Sequence, residues 1–107
     1  GKLRAIAVTT PERSPALKGV PTIAEIVKGY SVESWYGLFA PAGTAPEVIS
    51  KLNAAVKQAT QSTEFKNKLE PEGLVVSTGT PQEFDSYVKR EESRWRKIVK
   101  ENKIKPD

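Results

Sequence analysis

The sequence predicts an α/β fold in which mostly parallel strands are flanked by helices. Strand-like and helix-like segments alternate along the 107 residues, an order that is typical of a parallel sheet with covering helices. The first strand-like segment, residues 3–10, is apolar on both faces after Arg4, as in a strand that is covered on both sides. Three of the four predicted helices begin at Thr-x-x-Glu sequences, whose two side chains cap the first turn.

The N-terminal part of the chain contains two predicted strands and one short helix. Residues 3–10, LRAIAVTT, form the first strand, and a loop rich in proline follows it. Thr22 and Glu25 have the spacing of a capping box, which predicts a helix that Gly29 keeps short. Residues 31–40, SVESWYGLFA, form the second strand.

The middle of the chain is predicted to form one long and one short helix. Thr44 and Glu47 form a second capping box, with Pro46 in the first turn, where its missing N–H does no harm. Apolar residues then recur at helical spacing: Val48, Ile49, Leu52, Ala55, Val56 and Ala59. A short helix that includes Phe65 and a short third strand, residues 74–78, complete this part.

The last predicted element is a long amphipathic helix. Thr80 and Glu83 form a third capping box around Pro81 at the first helical position, and the helix fades at Asn102. One face of the helix carries Phe84, Tyr87, Val88, Glu91, Trp95, Ile98 and Val99 at steps of three and four. The outer face carries the oppositely charged pairs Asp85–Lys89 and Glu92–Arg96, four residues apart.

The composition excludes several kinds of catalytic site. The chain has no cysteine and no histidine, which rules out disulfides, thiolate or imidazole zinc sites and a Ser-His-Asp triad. The carboxylate pairs Glu70–Glu72 and Glu91–Glu92 lie in a turn and on a charged helix, and neither has the pattern of a general acid/base pair. We therefore expect no enzyme activity, no catalytic residue, no metal and no cofactor.

A basic C-terminal stretch supports the main alternative function, a small basic nucleic-acid-binding or interaction domain. The net charge is +4, and the run KREESRWRKIVKENKIK places Arg and Lys on both sides of Trp95. However, Trp95 falls on the apolar face of the helix, and glutamates dilute the positive charge. This pattern favours a solvated outer face, so we expect no nucleic-acid partner.

The second predicted strand carries two large aromatic residues and a glycine at its centre, Trp35, Tyr36 and Gly37. Taken alone, this pattern favours core aromatics on a central strand, with a glycine that lets a neighbouring group approach closely. A functional interpretation of the same three residues becomes stronger when the whole stretch around them is considered.

Three blocks of the sequence together resemble one family. These blocks are KLRAIAVTTPERSPALKGVPTIAE, GYSVESWYGLFAPAGTAPEVISKLN and TPQEFDSYVKREESRWRKIVKENKIKP. They resemble the C-terminal part of the Bug-type extracytoplasmic solute receptors, the substrate-binding proteins of tripartite tricarboxylate transporters. GTAPE stands where the family commonly has a GTP-like sequence. The chain also begins with Gly1 close to a strand-like run, and we expect a C-terminal piece of a longer protein.

The resemblance implies a two-lobed fold of the type II periplasmic binding proteins, with a ligand cleft between the lobes. Residues 1–30 would end the second lobe, residues 31–43 would form the crossing strand and its exit turn, and residues 44–107 would pack on the first lobe. Tyr36, Trp35 and Gly37 would then lie near the cleft. Because strand side chains alternate, we expect Tyr36 to face the cleft and Trp35 to face a core with Phe39.

The function implied by the resemblance is solute capture for transport. The full-length protein would bind a small carboxylate or related metabolite in the periplasm, after export by an upstream signal peptide, and pass it to a membrane permease. The isolated piece would lack half the cleft and is expected to bind no solute. We also expect it to associate with itself, because its sheet edges and apolar helix faces would lack their cover.

Overall fold

The computed structural model describes residues 2–105, so Gly1, Pro106 and Asp107, at the ends of the predicted segments 1–30 and 44–107, lie outside the described residues. Within this range the chain forms three α-helices. They are α1, Pro46–Gln61; α2, Thr63–Leu69; and α3, Pro81–Glu101. Two single turns of 3-10 helix lie at Ile23–Glu25 and Glu70–Glu72. None of the helices in residues 2–105 is both long and apolar enough to cross a membrane.

The N-terminus of α3 is the capping box that the sequence predicts. The Glu83 amide donates to Thr80 Oγ1 at 3.2 Å, and the Thr80 amide donates to Glu83 Oε2 at 2.7 Å. Pro81 occupies the first turn, where no intrahelical donor is needed. The predicted ion pairs are also present, Lys89 with Asp85 at 2.7 Å and Arg96 with Glu92 at 2.5 Å.

The predicted capping box of α1 is wrong, although its proline is placed as expected. The N-cap of α1 is Ala45, which makes no side-chain cap, and Pro46 follows it. The Thr44 hydroxyl instead donates to the Pro41 carbonyl at 2.8 Å, inside the turn that leads into the helix. The Thr44 hydroxyl is therefore bonded within this turn and does not cap the helix.

Ser62 explains the break between α1 and α2. Its hydroxyl donates to the Ala59 carbonyl at 2.8 Å, in the last turn of α1. The same oxygen accepts from the Phe65 amide at 3.2 Å, in the first turn of α2. One side chain thus satisfies backbone groups that the ends of two helices would leave without partners.

The three predicted strands are not paired into a sheet. Segments 3–10, 31–40 and 74–78 have no regular secondary structure, and residues 2–105 contain only an isolated parallel bridge between Val8 and Thr22. A strand is defined by a neighbour that satisfies its backbone groups along its length, and in residues 2–105 the Val32 amide and the Thr9 carbonyl form a single hydrogen bond between segments 31–40 and 3–10 without a β-ladder. The helical half of the predicted α/β fold is present, and its mixed α/β character is unconfirmed.

The N-terminal part is held together by a small polar cluster around Thr22, which is only 3% exposed. The predicted capping box of Thr22 and Glu25 is present. Arg13 adds a bidentate pair to Glu25, with both N···O distances at 2.7 Å. The Arg13 guanidinium and the Thr22 amide lower the pKa of the Glu25 carboxyl to about 2. Gly29 ends this turn with φ of +82°, a conformation that favours glycine.

The described residues do not enclose a hydrophobic core. No apolar side chain among them is fully buried, and the chain exposes 9518 Å². A compact protein of 11.8 kDa would expose about 5,900 Å². The radius of gyration is 17.2 Å, against about 13 Å for a compact domain of this length. The apolar faces of the helices are therefore largely uncovered.

Candidate functional site

The second predicted strand, residues 31–40, lies along α3. Trp35 packs edge-on against Phe84, with ring centroids 5.8 Å apart, and against Tyr87, at 5.5 Å. Phe39 packs against the same Phe84 ring at 5.2 Å. Trp35 and Phe39 therefore share the side that faces α3, as the alternation of side chains predicts.

Gly37 lies between these two aromatics, on the same side of the segment, and directly faces the Phe84 ring. A Cβ added to Gly37 would collide with Phe84 Cζ and would lie 3.0 and 3.1 Å from Cε1 and Cε2. Gly37 does not have a positive φ, unlike the glycines at 19, 29, 43 and 73. The position therefore requires glycine for space, whereas its backbone conformation is one that other residues adopt.

Tyr36 points to the opposite side of the segment. Its side chain is 87% exposed, and Leu38, two residues along, is also exposed. Trp35, by contrast, is 37% exposed. The three predicted site residues thus divide into two groups: Tyr36 is open to solvent, and Trp35 and Gly37 support the segment from behind.

Arg94 ties the start of the segment to α3. Its Nη2 donates to the Ser31 carbonyl, and its Nη1 lies 3.3 Å from Glu91 Oε1. Glu91 also accepts from Trp95 Nε1 at 3.1 Å, and the Arg94 guanidinium lies 5.5 Å from the Trp95 ring centroid. Arg94 is not among the predicted site residues; the local signal for it is a glutamate three residues earlier, on the same face of the helix.

Neighbouring contacts fix the two ends of this arrangement. The Val32 amide donates to the Thr9 carbonyl at 2.9 Å, which joins the segment to the N-terminal part. The Asn53 side chain donates to the Gly79 carbonyl at 3.0 Å, which joins α1 to the residue before the α3 cap. Partial burial and the nearby Glu91 carboxylate raise the pKa of Tyr87 on α3.

Most of the basic side chains of α3 are paired with carboxylates. The pairs are Lys89–Asp85, Arg94–Glu91, Arg96–Glu92 and Lys97–Glu101. Trp95 is engaged by Glu91 and Arg94, as described above. Two depressions on α3 are open to solvent and are lined mostly by charged and polar side chains. In residues 2–105, no three His, Cys, Asp or Glu side chains come together as metal ligands.

Comparison with known proteins places these residues in a family. Residues 1–104 match a family model described as "Tripartite tricarboxylate transporter family receptor". The chain is 35% identical over 105 residues to the "UPF0065 protein in tcbD-tcbE intergenic region" of Pseudomonas sp. (strain P51). It is 33% identical over 106 residues to "Protein BugT" of Bordetella pertussis.

A third relative, the "UPF0065 protein in clcB-clcD intergenic region" of Pseudomonas knackmussii, is 29% identical over 106 residues. These matches cover 96%, 98% and 97% of this chain for the tcbD-tcbE, BugT and clcB-clcD proteins respectively. In the same order, they cover 31%, 32% and 63% of the relatives. The chain thus spans about a third of the length of two of them. No solved structure matches the chain significantly.

Proposed function

Because the chain belongs to the tripartite tricarboxylate transporter receptor family, we propose that it is the C-terminal part of an extracytoplasmic solute receptor. The receptor binds a small carboxylate or a related metabolite and passes it to a membrane permease. The match over residues 1–104 is the observation that carries this proposal. The periplasm is the compartment that suits such a receptor.

The uncovered surface of the chain supports its role as part of a larger fold. The described helices bury no apolar side chain fully, and the excess exposed surface is about 3,600 Å² over that of a compact protein of this mass. This area exceeds the ~1,600 Å² of a standard protein–protein interface. The rest of the receptor chain covers it, and segments 3–10, 31–40 and 74–78 find their strand partners there.

The contacts of the segment support the proposed division of the chain between lobes. Residues 1–30 belong to the second lobe, residues 31–43 cross between the lobes, and residues 44–107 pack on the first lobe. Within residues 2–105, the crossing segment is fastened to the third part by Arg94 and by the rings of Trp35 and Phe84. It is joined to the first part by the Val32 amide.

Tyr36 is the residue that serves the solute directly in this proposal. It is exposed on the side away from α3, and its hydroxyl can donate to a carboxylate or to a bridging water. Trp35 and Gly37 complete the site from behind, because both face α3. The proposal includes no chemistry on the solute and no nucleic-acid partner, and the pairing of Lys89 and Arg96 with carboxylates on α3 is consistent with a solvated outer face.

Calorimetry on the full-length protein and on the isolated chain tests this proposal. The titrants are citrate and a panel of dicarboxylates, and the matched control is the uncharged trimethyl ester of citrate. We expect heat of binding for one of the carboxylates with the full-length protein and none with the ester or with the 107-residue chain. Equal binding by the isolated chain, or no carboxylate bound by the full-length protein, contradicts the proposal.

A further inference from the structure

One aromatic ring of α3 contacts three alternate positions of the crossing segment. The Phe84 ring touches Trp35 at a centroid distance of 5.8 Å and Phe39 at 5.2 Å. Gly37 lies between these two positions, and the tip of the Phe84 ring occupies the space where a Cβ would be. The ring is therefore bounded on both sides and seated over the glycine.

This arrangement has a defined register. Successive side chains of an extended segment point to opposite sides, so a shift of one residue would bring Tyr36 or Leu38 onto the Phe84 ring. Neither side chain fits into a space that a single Cβ already overfills. A shift of two residues would bring Trp35 or Phe39 to the place of Gly37, with the same result. Only the glycine register allows the segment to approach α3 this closely.

We propose that Phe84 is a positioning residue: seated over Gly37, it fixes the register of residues 31–40 on α3 and so holds Tyr36 on the opposite side. The fixed register of residues 31–40 on α3 rests on the packing alone. That the position of Tyr36 matters for binding rests on the proposed function. The register and the binding can be measured separately.

A pair of compensating substitutions in the full-length protein tests the packing. Gly37→Ala adds the Cβ that collides with the ring, and Trp35 and Phe39, which pack against the ring, oppose its movement away from the clash. Phe84→Leu removes the ring atoms that the new Cβ would meet. The matched control is Phe65→Leu, the same exchange in α2, on a partly exposed side chain.

The expected result is that Phe84→Leu changes the melting temperature in opposite directions in the two backgrounds. Phe84→Leu lowers it in the wild-type background, where packing is lost, and raises it in the Gly37→Ala background, where a clash is relieved. Phe65→Leu lowers it in both backgrounds. If Gly37→Ala yields no folded protein, the readout becomes whether the double variant Gly37→Ala with Phe84→Leu does fold. Absence of rescue, or equal rescue by Phe65→Leu, overturns the positioning role.

Citrate and dicarboxylate titrations of the same variants test whether the position of Tyr36 matters for binding. Gly37→Ala displaces Tyr36 and is expected to weaken binding about two- to tenfold, the equivalent of one ordinary hydrogen bond. In the Gly37→Ala background, Phe84→Leu restores affinity and Phe65→Leu does not. In the wild-type background, Phe65→Leu leaves affinity unchanged. Unchanged affinity of folded Gly37→Ala overturns the role for Tyr36. If the wild-type protein binds no carboxylate while the melting temperatures reverse, the packing role stands and the proposed function fails.

Discussion

In the proposed receptor the rest of the protein covers these helices, so the 107 residues alone should be unable to fold as a compact monomer. Within residues 2–105 the helices bury no apolar side chain completely. The contacts between segments include a few hydrogen bonds and an aromatic cluster. Hydrophobic burial is the main favourable term in folding, so a chain without a core has little to oppose its conformational entropy. Isolation therefore removes the surface against which the helices pack.

The exposed area gives the size of the effect. The unfolded chain would expose about 17,100 Å², so that a compact fold of this mass would bury about 11,200 Å². The described structure exposes 9518 Å² and buries about 7,600 Å², roughly two-thirds as much. Because the denaturant m-value scales with the area exposed on unfolding, the isolated chain should show about two-thirds of the m-value of a compact domain of its length.

Urea unfolding followed by circular dichroism, together with sedimentation, measures both consequences. We expect a broad transition with the reduced m-value at low concentration, and dimers or larger species at high concentration. Leu52→Gln should weaken this association, because Leu52 lies with Val48 and Val56 on the half-exposed apolar stripe of α1. Lys51→Gln, at the adjacent position, is the matched control. A sharp transition with the m-value of a compact domain, from a monomer at high concentration, would refute the reasoning.

Three further predictions concern the full-length protein. Tyr36→Phe should weaken carboxylate binding by about 0.5–1.5 kcal/mol, the net value of one hydrogen bond, and calorimetry showing unchanged affinity would remove Tyr36 from the site. Thr80→Ala should cost about 0.5–2 kcal/mol in urea unfolding because it removes a helix cap, and more than Thr44→Ala, which removes only a turn contact; the reverse order would contradict the assigned caps. The pKa of Glu25 is lowered in the folded state, so its stabilising effect is complete above the unfolded value of about 4.3 and is lost as the pH falls through about 2. The difference in melting temperature between wild type and Glu25→Gln should therefore be constant at neutral pH and vanish near pH 2, and a difference that persists there would assign the effect to another group.

The features that the sequence predicts well are those decided within a few residues. The capping boxes at Thr22 and Thr80 each join groups three residues apart, and both are present. The same local rule fails at Thr44, because the preceding turn takes its hydroxyl first. Strand pairing is decided by segments far apart in the chain, and for segments 3–10 and 31–40 the described residues do not supply a partner strand.

The candidate site shows the same division. Alternation along residues 31–40 predicts that Trp35 and Tyr36 lie on opposite sides, and the structure places them so. The contact of Arg94 with Ser31 spans 63 residues and depends on how α3 lies against the segment, which no local pattern specifies. The close approach of Phe84 to Gly37 also joins residues that are far apart in the sequence. A glycine in a strand pattern signals a close neighbour but does not say which one.

Two adjacent residues receive contacts from different parts of the chain. The Ser31 carbonyl accepts from Arg94 on α3, and the Val32 amide, across the same peptide bond, donates to the Thr9 carbonyl. In the proposed receptor, a rotation between the two lobes would act about a point close to Arg94, and α3 would work as a lever arm. The first residue of the helix, Pro81, lies about 20 Å from Arg94 along the axis. A rotation of about 10° would carry that end through about 3.5 Å, which is slightly more than the length of a hydrogen bond.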